Sequence, residues 1–116
     1  MKVVVSSLHL KDYTQPELYA RVKVEKLAKY FPKILEIDVK LIANVAHRGQ
    51  ETDYTCEIII KVPGRNLEIV DIERAMDKAI DKAVERAKRL LVKTKEKKIS
   101  KWHRLGILNK LRSRFQ

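Results

Sequence analysis

Between Arg86 and Lys98 the sequence gathers seven cations, Arg86, Lys88, Arg89, Lys93, Lys95, Lys97 and Lys98, against a single acid, Glu96. Guanidinium and ammonium groups stay charged at neutral pH and donate hydrogen bonds without accepting any, so their chemistry is the capture of anions. The rest of the chain sharpens that reading. Residues 1–85 carry fourteen Lys/Arg and fourteen Asp/Glu, whereas residues 86–116 carry twelve Lys/Arg and one acid. The whole net charge of +11 therefore sits in the last quarter. A balanced body with one concentrated cationic end is built to meet a polyanion. Nucleic acid is the first candidate, and an acidic membrane surface is the rival.

Upstream of that run, Glu73, Asp77, Asp81 and Glu85 recur at i, i+4 spacing beside a basic series, Arg74, Lys78, Lys82 and Arg86. Solvent-facing pairs such as Lys78–Asp81 and Lys82–Glu85 account for this part, at ~0.2–0.5 kcal/mol each. After Glu85 the i, i+4 acid series ends while the basic one continues. A helix dipole favours cations only within its last turn, so phosphate binding explains the longer run better. An earlier helix adds Lys23, Lys26, Lys29 and Lys33, for which ordinary solubility, with Glu25 nearby, is an equally good account.

Other chemistry finds no foothold. His9, His47, His103 and Cys56 lack metal-ligand spacing, and no nucleophile stands beside a base. Three glycines cannot supply a glycine-rich phosphate loop. The expectation is a binding protein rather than an enzyme, with no cofactor, no metal and no small-molecule substrate. A single cysteine forms no internal disulfide, which suits a reducing compartment. Ser6, Ser7, His9 and Lys11 interrupt the N-terminal apolar run too early for a signal peptide, and nothing approaches the ~20 apolar residues of a membrane span. The expected location is cytoplasmic.

These cations need a scaffold, and 116 residues allow one core. Residues 2–6 form a β-branched run fit for a strand. Thr14-Gln15-Pro16-Glu17 matches a capping box, and Ala20, Val24, Leu27, Ala28 and Phe31 give the following helix one apolar face until Pro32 closes it. Leu35, Ile37, Val39, Leu41 and Ala43 alternate with mostly polar residues as a half-buried strand. A turn over residues 47–50 leads to a second alternating strand through Tyr54, Cys56, Ile58, Ile60 and Val62. Pro63-Gly64-Arg65-Asn66 turns into a short strand over residues 67–70. Asp71 is then read as the cap of a long helix with the stripe Ile72, Met76, Ala79, Ile80, Ala83, Val84, Ala87 and Leu91.

The order βαβββα predicts an α+β, two-layer sandwich, a four-stranded sheet with both helices on one face. Its other face would carry the polar residues Glu36, Asp38, Asp53, Thr55 and Glu57, of which Glu36, Asp38 and Glu57 would repel phosphates. RNA should therefore meet the helices and tail, not an aromatic sheet platform. The domain is assigned to residues 1–98 and a basic C-terminal extension to residues 99–116. In that extension Ile99, Trp102, Leu105, Ile107, Leu108, Leu111 and Phe115 are interleaved with Lys101, Arg104, Lys110, Arg112 and Arg114. It could lie on a membrane, fill a partner groove, fold onto RNA with Trp102 stacking, or pack back on its own domain.

The element order, with Lys26-Leu27-Ala28-Lys29-Tyr30-Phe31, the Ile60-Lys61-Val62-Pro63-Gly64 turn and Asp71-Ile72-x-x-Ala75-Met76-Asp77, resembles the ribosome hibernation-promoting factor family. That family includes the ribosome-associated translation inhibitor also called protein Y. The resemblance covers residues 1–98. It implies a domain related in shape to double-stranded RNA-binding domains, seated in the mRNA/tRNA channel of the small ribosomal subunit near the decoding centre. Lys82, Arg89 and Lys93 fall where the family's second helix is basic. Arg86 and Lys88 extend that surface, Lys95, Lys97 and Lys98 continue it, and Lys26 and Lys29 add the first helix. Two departures stand out: residues 64–71 are a few residues shorter than in familiar members, and no second, ribosome-dimerising domain follows. The chain is thus expected to be of the short type, a monomer whose partner is ribosomal RNA. A generic double-stranded RNA binder would open its last helix with Lys-Lys-x-Ala-Lys, whereas this stretch reads Asp71-Ile72-Glu73-Arg74-Ala75. A membrane-surface protein would depend on the tail alone.

Overall fold

Alternating apolar residues in the middle of the chain build a sheet with one buried face, and two helices supply the apolar stripes that cover it. The structure, a computed structural model, describes residues 2–44 and 53–102. Its elements are β1 (Lys2–Leu8), α1 (Thr14–Tyr30), β2 (Glu36–Asn44), β3 (Asp53–Val62), β4 (Arg65–Glu73) and α2 (Met76–Trp102). The strands lie in the order β1-β2-β3-β4, with β1 parallel to β2 and the other neighbours antiparallel. Ile37, Val39 and Leu41 of β2, Cys56, Ile58 and Ile60 of β3, and Leu67 and Ile69 of β4 are buried. They pack beneath Ala20, Val24 and Leu27 of α1 and Met76, Ala79, Ile80, Ala83, Ala87 and Leu91 of α2. Both helices thus share one sheet face, as the order of elements requires, and the fold is the expected α+β sandwich. The three fully buried alanines of α2 recur every fourth residue, which leaves room for that helix to lie close over the strands.

The β3–β4 turn follows from two residues. Proline presets the backbone of the first turn position, and Gly64 takes φ 90°, a left-handed value that a side chain resists. Val62 pairs directly with Arg65 across it.

Four local readings are corrected. The capping box does not form: α1 begins at Thr14 behind Tyr13 without a side-chain cap, and Glu17 instead accepts a 2.6 Å hydrogen bond from the Ser7 hydroxyl of β1. β4 is nine residues long rather than four, because its pairing with β3 continues to Tyr54 opposite Glu73. Asp71, Ile72 and Glu73 are therefore strand residues, α2 starts at Met76, and Ile72 is 57% exposed instead of leading the apolar stripe. Leu35 precedes β2 and is also exposed. The turn at 47–50 and residues 103–116 of the extension lie outside the described residues. Residues 99–102 continue α2 without a break.

Candidate nucleic-acid interface

Topology fixes the direction of both helices. Because β1 and β2 are parallel, α1 must run back against them; β4 runs the same way as β2, so α2, leaving its end, also runs back. The two helices are consequently parallel neighbours, both running toward the end of the sheet where β2 and β4 begin, and α2 continues past the end of α1. Three contacts mark the seam. The Tyr19 hydroxyl donates to Asp81 Oδ1 at 2.6 Å, Lys23 Nζ lies 3.6 Å from the same oxygen, and Lys88 Nζ sits 5.6 Å from the Tyr30 ring centre. Arg65 Nη2, donating to Thr94 Oγ1 at 3.3 Å, ties the far part of α2 to the start of β4.

The cations named from the sequence fall into two groups on this layer. Lys82 donates to Glu73 Oε2 at 2.9 Å, and that hydrogen bond raises the lysine pKa above its ordinary value. Arg86 Nη1 donates to the Val70 carbonyl and to Asp71 Oδ1, both at 3.0 Å, and Arg89 pairs with Glu85 one turn earlier on its own helix. These three are exposed but engaged. Lys26, Lys29 and Lys93 are exposed and form no ion pair among the described residues, and Lys88 rests on an aromatic ring rather than a carboxylate. Lys95, Lys97 and Lys98 continue the backbone of α2 past this point. Cations without an acid partner among the described residues thus lie where α1 ends beside Lys88 and further along α2, which runs on to Trp102.

The carboxylate partners Glu73 and Asp71 were missed in the sequence because a helix was assigned to them. Their period-two continuation of Leu67 and Ile69 is the signal that places them on the inner face of β4. Tyr19 and Tyr30 were missed as well. The spacing 19, 23, 26 and 30 on α1 is one helical stripe, and it faces α2.

The opposite sheet face bears acids, as expected, but is less wet than its acids suggest. Glu36 and Asp38 share Lys61, at 3.1 and 3.5 Å. Hydrogen bonding from Asp38, and then from Lys61, lowers the Glu36 pKa, whereas desolvation, and then Glu36, raises that of Asp38. Register places Leu8, Ile42, Thr55 and Ile72 in one cross-strand row, and Leu8 and Ile72 are exposed. Thr55 is buried there, accepting from Asn44 Nδ2 at 2.8 Å. Cys56 lies in the core, where burial pushes its thiol up to about 12. Among the described residues no group of His, Cys, Asp and Glu is arranged to hold a metal ion, and no helix is long and apolar enough to cross a membrane.

Comparison with known proteins places this geometry. The family described as Sigma 54 modulation protein / S30EA ribosomal protein matches residues 4–99. Among solved structures, the fold is similar to a ribosomal subunit interface protein from Coxiella burnetii, with a TM-score of 0.69 and 14% identity over 83% of this chain and 99% of that one. It is also similar to the N-terminal domain of protein Y from Thermus thermophilus, with a TM-score of 0.60 and 21% identity over 78% of this chain and 96% of that one. No curated protein matches the sequence.

Proposed function

We propose, for a chain that belongs to the Sigma 54 modulation protein / S30EA ribosomal protein family, a translation inhibitor that holds ribosomes inactive by occupying the mRNA/tRNA channel of the small subunit. The family and the structural neighbours are ribosome-associated proteins, which gives the partner at the coarse level. One observation supports the finer reading: cations without carboxylate partners among the described residues lie where α1 ends beside the middle of α2 and further along α2, on the face opposite Glu36, Asp38 and Glu57. In this reading Lys26, Lys29, Lys88 and Lys93, followed by Lys95, Lys97 and Lys98, take ribosomal RNA phosphates. Lys82, Arg86 and Arg89 add to the field while bound to their own acids. The binding unit is residues 1–98, acting as a cytoplasmic monomer, and residues 99–116 are a basic extension.

Such a protein works by occupancy. Phosphate contacts position a protein without reading sequence, so selectivity comes from the fit of the helical layer to the channel. Two ligands that share a site lower each other's affinity reciprocally. Small subunits carrying mRNA and initiator tRNA should bind this protein more weakly, and the protein should weaken their binding in return. Full simultaneous occupancy by all three would overturn the channel reading. Neutralisation of about six phosphates would also cost roughly a thousandfold in affinity between about 50 and 200 mM salt, by analogy with duplex DNA.

A further inference from the structure

Tyr30 is the anomaly of the helical layer. It closes α1 with 67% of its surface exposed, although its neighbour Phe31 packs against the core. Its hydroxyl makes no hydrogen bond among the described residues. Tyr19, eleven residues earlier on the same stripe, is 37% exposed and is committed within the fold, with its hydroxyl on Asp81 and Lys23 against its ring. The seam is therefore already fastened one end up, and Tyr30 adds no comparable tie. What it presents is an open aromatic ring beside Lys88, whose ammonium stands 5.6 Å from the ring centre and has no carboxylate partner among the described residues. Lys26 lies one turn back on the same stripe, and Lys29 and Lys33 flank the ring in sequence.

A planar π-face bordered by unpaired cations matches the two halves of an unpaired nucleotide. The base stacks on the ring, and the adjoining phosphate meets an ammonium. A base-paired stem cannot use such a site, since its bases are already stacked on one another. We infer that Tyr30 and Lys88 form a stacking site for a single unpaired base of RNA at the junction of α1 and α2. This rests on the reading of the helical layer as the RNA-facing side, and it adds a contact that discriminates looped from paired RNA.

The test separates stacking from charge. A short oligoadenylate strand and an abasic ribose-phosphate strand of equal length carry the same phosphates, so only the bases differ. The wild-type protein should bind oligoadenylate more tightly than the abasic strand. Tyr30→Ala should weaken oligoadenylate binding by about five- to a hundredfold, the range for one base on one ring, and leave abasic binding and the salt dependence unchanged. Tyr30→Phe should bind like the wild type, because the ring and not the hydroxyl is used. Tyr30 is exposed, so these variants keep the core, which circular dichroism melts of each would verify. Equal affinity for the two strands, or full oligoadenylate affinity in Tyr30→Ala, would overturn the proposal. Small-subunit binding by the wild type is measured alongside. Its absence counts against the ribosomal function, while the strand comparison still decides the stacking site.

Discussion

Arg86→Met is expected to cost more in stability than in ribosome affinity, and Lys93→Met the reverse. The Arg86 guanidinium binds the Val70 carbonyl and the Asp71 carboxylate, each at 3.0 Å, and so clamps the middle of α2 to β4. The Asp71 side chain is 13% exposed, and its Oδ2 is buried without a partner among the described residues. Removing the guanidinium strands that carboxylate beside the core. Hydrogen bonds to charged groups are worth about 1.5–3 kcal/mol. The Arg86 side chain is 57% exposed, so solvent screening reduces the loss to about 1–2 kcal/mol. In a domain near 100 residues this lowers Tm by roughly 5–15 °C. With a urea m-value of about 1.5 kcal/mol/M, the unfolding midpoint falls by about 1 M. Lys93 has no ion pair among the described residues to lose, so Lys93→Met should leave Tm within roughly two degrees. It should reduce the salt slope of small-subunit binding by about one unit, the loss of one phosphate contact. Urea melts followed by circular dichroism, and filter binding across a salt series, read the two effects. Combining Arg86→Met with Asp71→Asn should destabilise less than the two changes summed, since they break the same clamp. A wild-type melt for Arg86→Met together with a reduced salt slope would refute the argument and make Arg86 a phosphate ligand.

Cutting the chain after Lys98 should weaken small-subunit binding less than Arg89→Glu combined with Lys93→Glu, which should abolish it without unfolding; the opposite ranking would make the extension the anchor. Asp38→Asn should modestly stabilise the protein at neutral pH. The raised pKa of Asp38 means that its ionisation disfavours the native state above that pKa, so the advantage of the variant should fade as the pH falls through it and the wild type takes up its proton. A pH-independent difference in urea midpoint between the two would contradict this. Cys56, buried with its thiol pushed up to about 12, should resist a thiol reagent at pH 8 in the native protein and react fully in urea. Stoichiometric labelling of the native protein would show that the core opens there.

Strands β2 and β3 were legible because their apolar residues alternate over many positions and only one register buries them. The stripe of α2 from Met76 to Leu91 was legible for the same reason, at the helical period. The segment from Asp71 to Arg74 was not, since its acid and base spacing continues the i, i+4 series of α2, and Ile72 fits either period. Only the pairing of β4 with β3 along its whole length settles it. The capping box failed for a non-local reason: Ser7, from another element, reaches Glu17 first, and no local motif can reveal such a competitor. The candidate site divides along the same line. Which residues are cationic is written in the sequence, but whether each is free depends on acids brought near by folding. Thus Lys82 and Arg86 looked equivalent to Lys93 until β4 supplied their partners.

Parallel helices have a further consequence. Antiparallel neighbours cancel each other's dipoles, whereas α1 and α2 point the same way, and their fields add along the long direction of the sheet. With self-paired charges at the start of the layer and surplus cations at its finish, the domain behaves as a charged rod with a marked leading end. Under the channel binding proposed above, a polyanionic field would exert a torque on it before any contact forms, so that it would arrive already turned. Low salt should therefore hasten productive encounters by reducing the number of wrongly oriented collisions, as well as by strengthening the attraction.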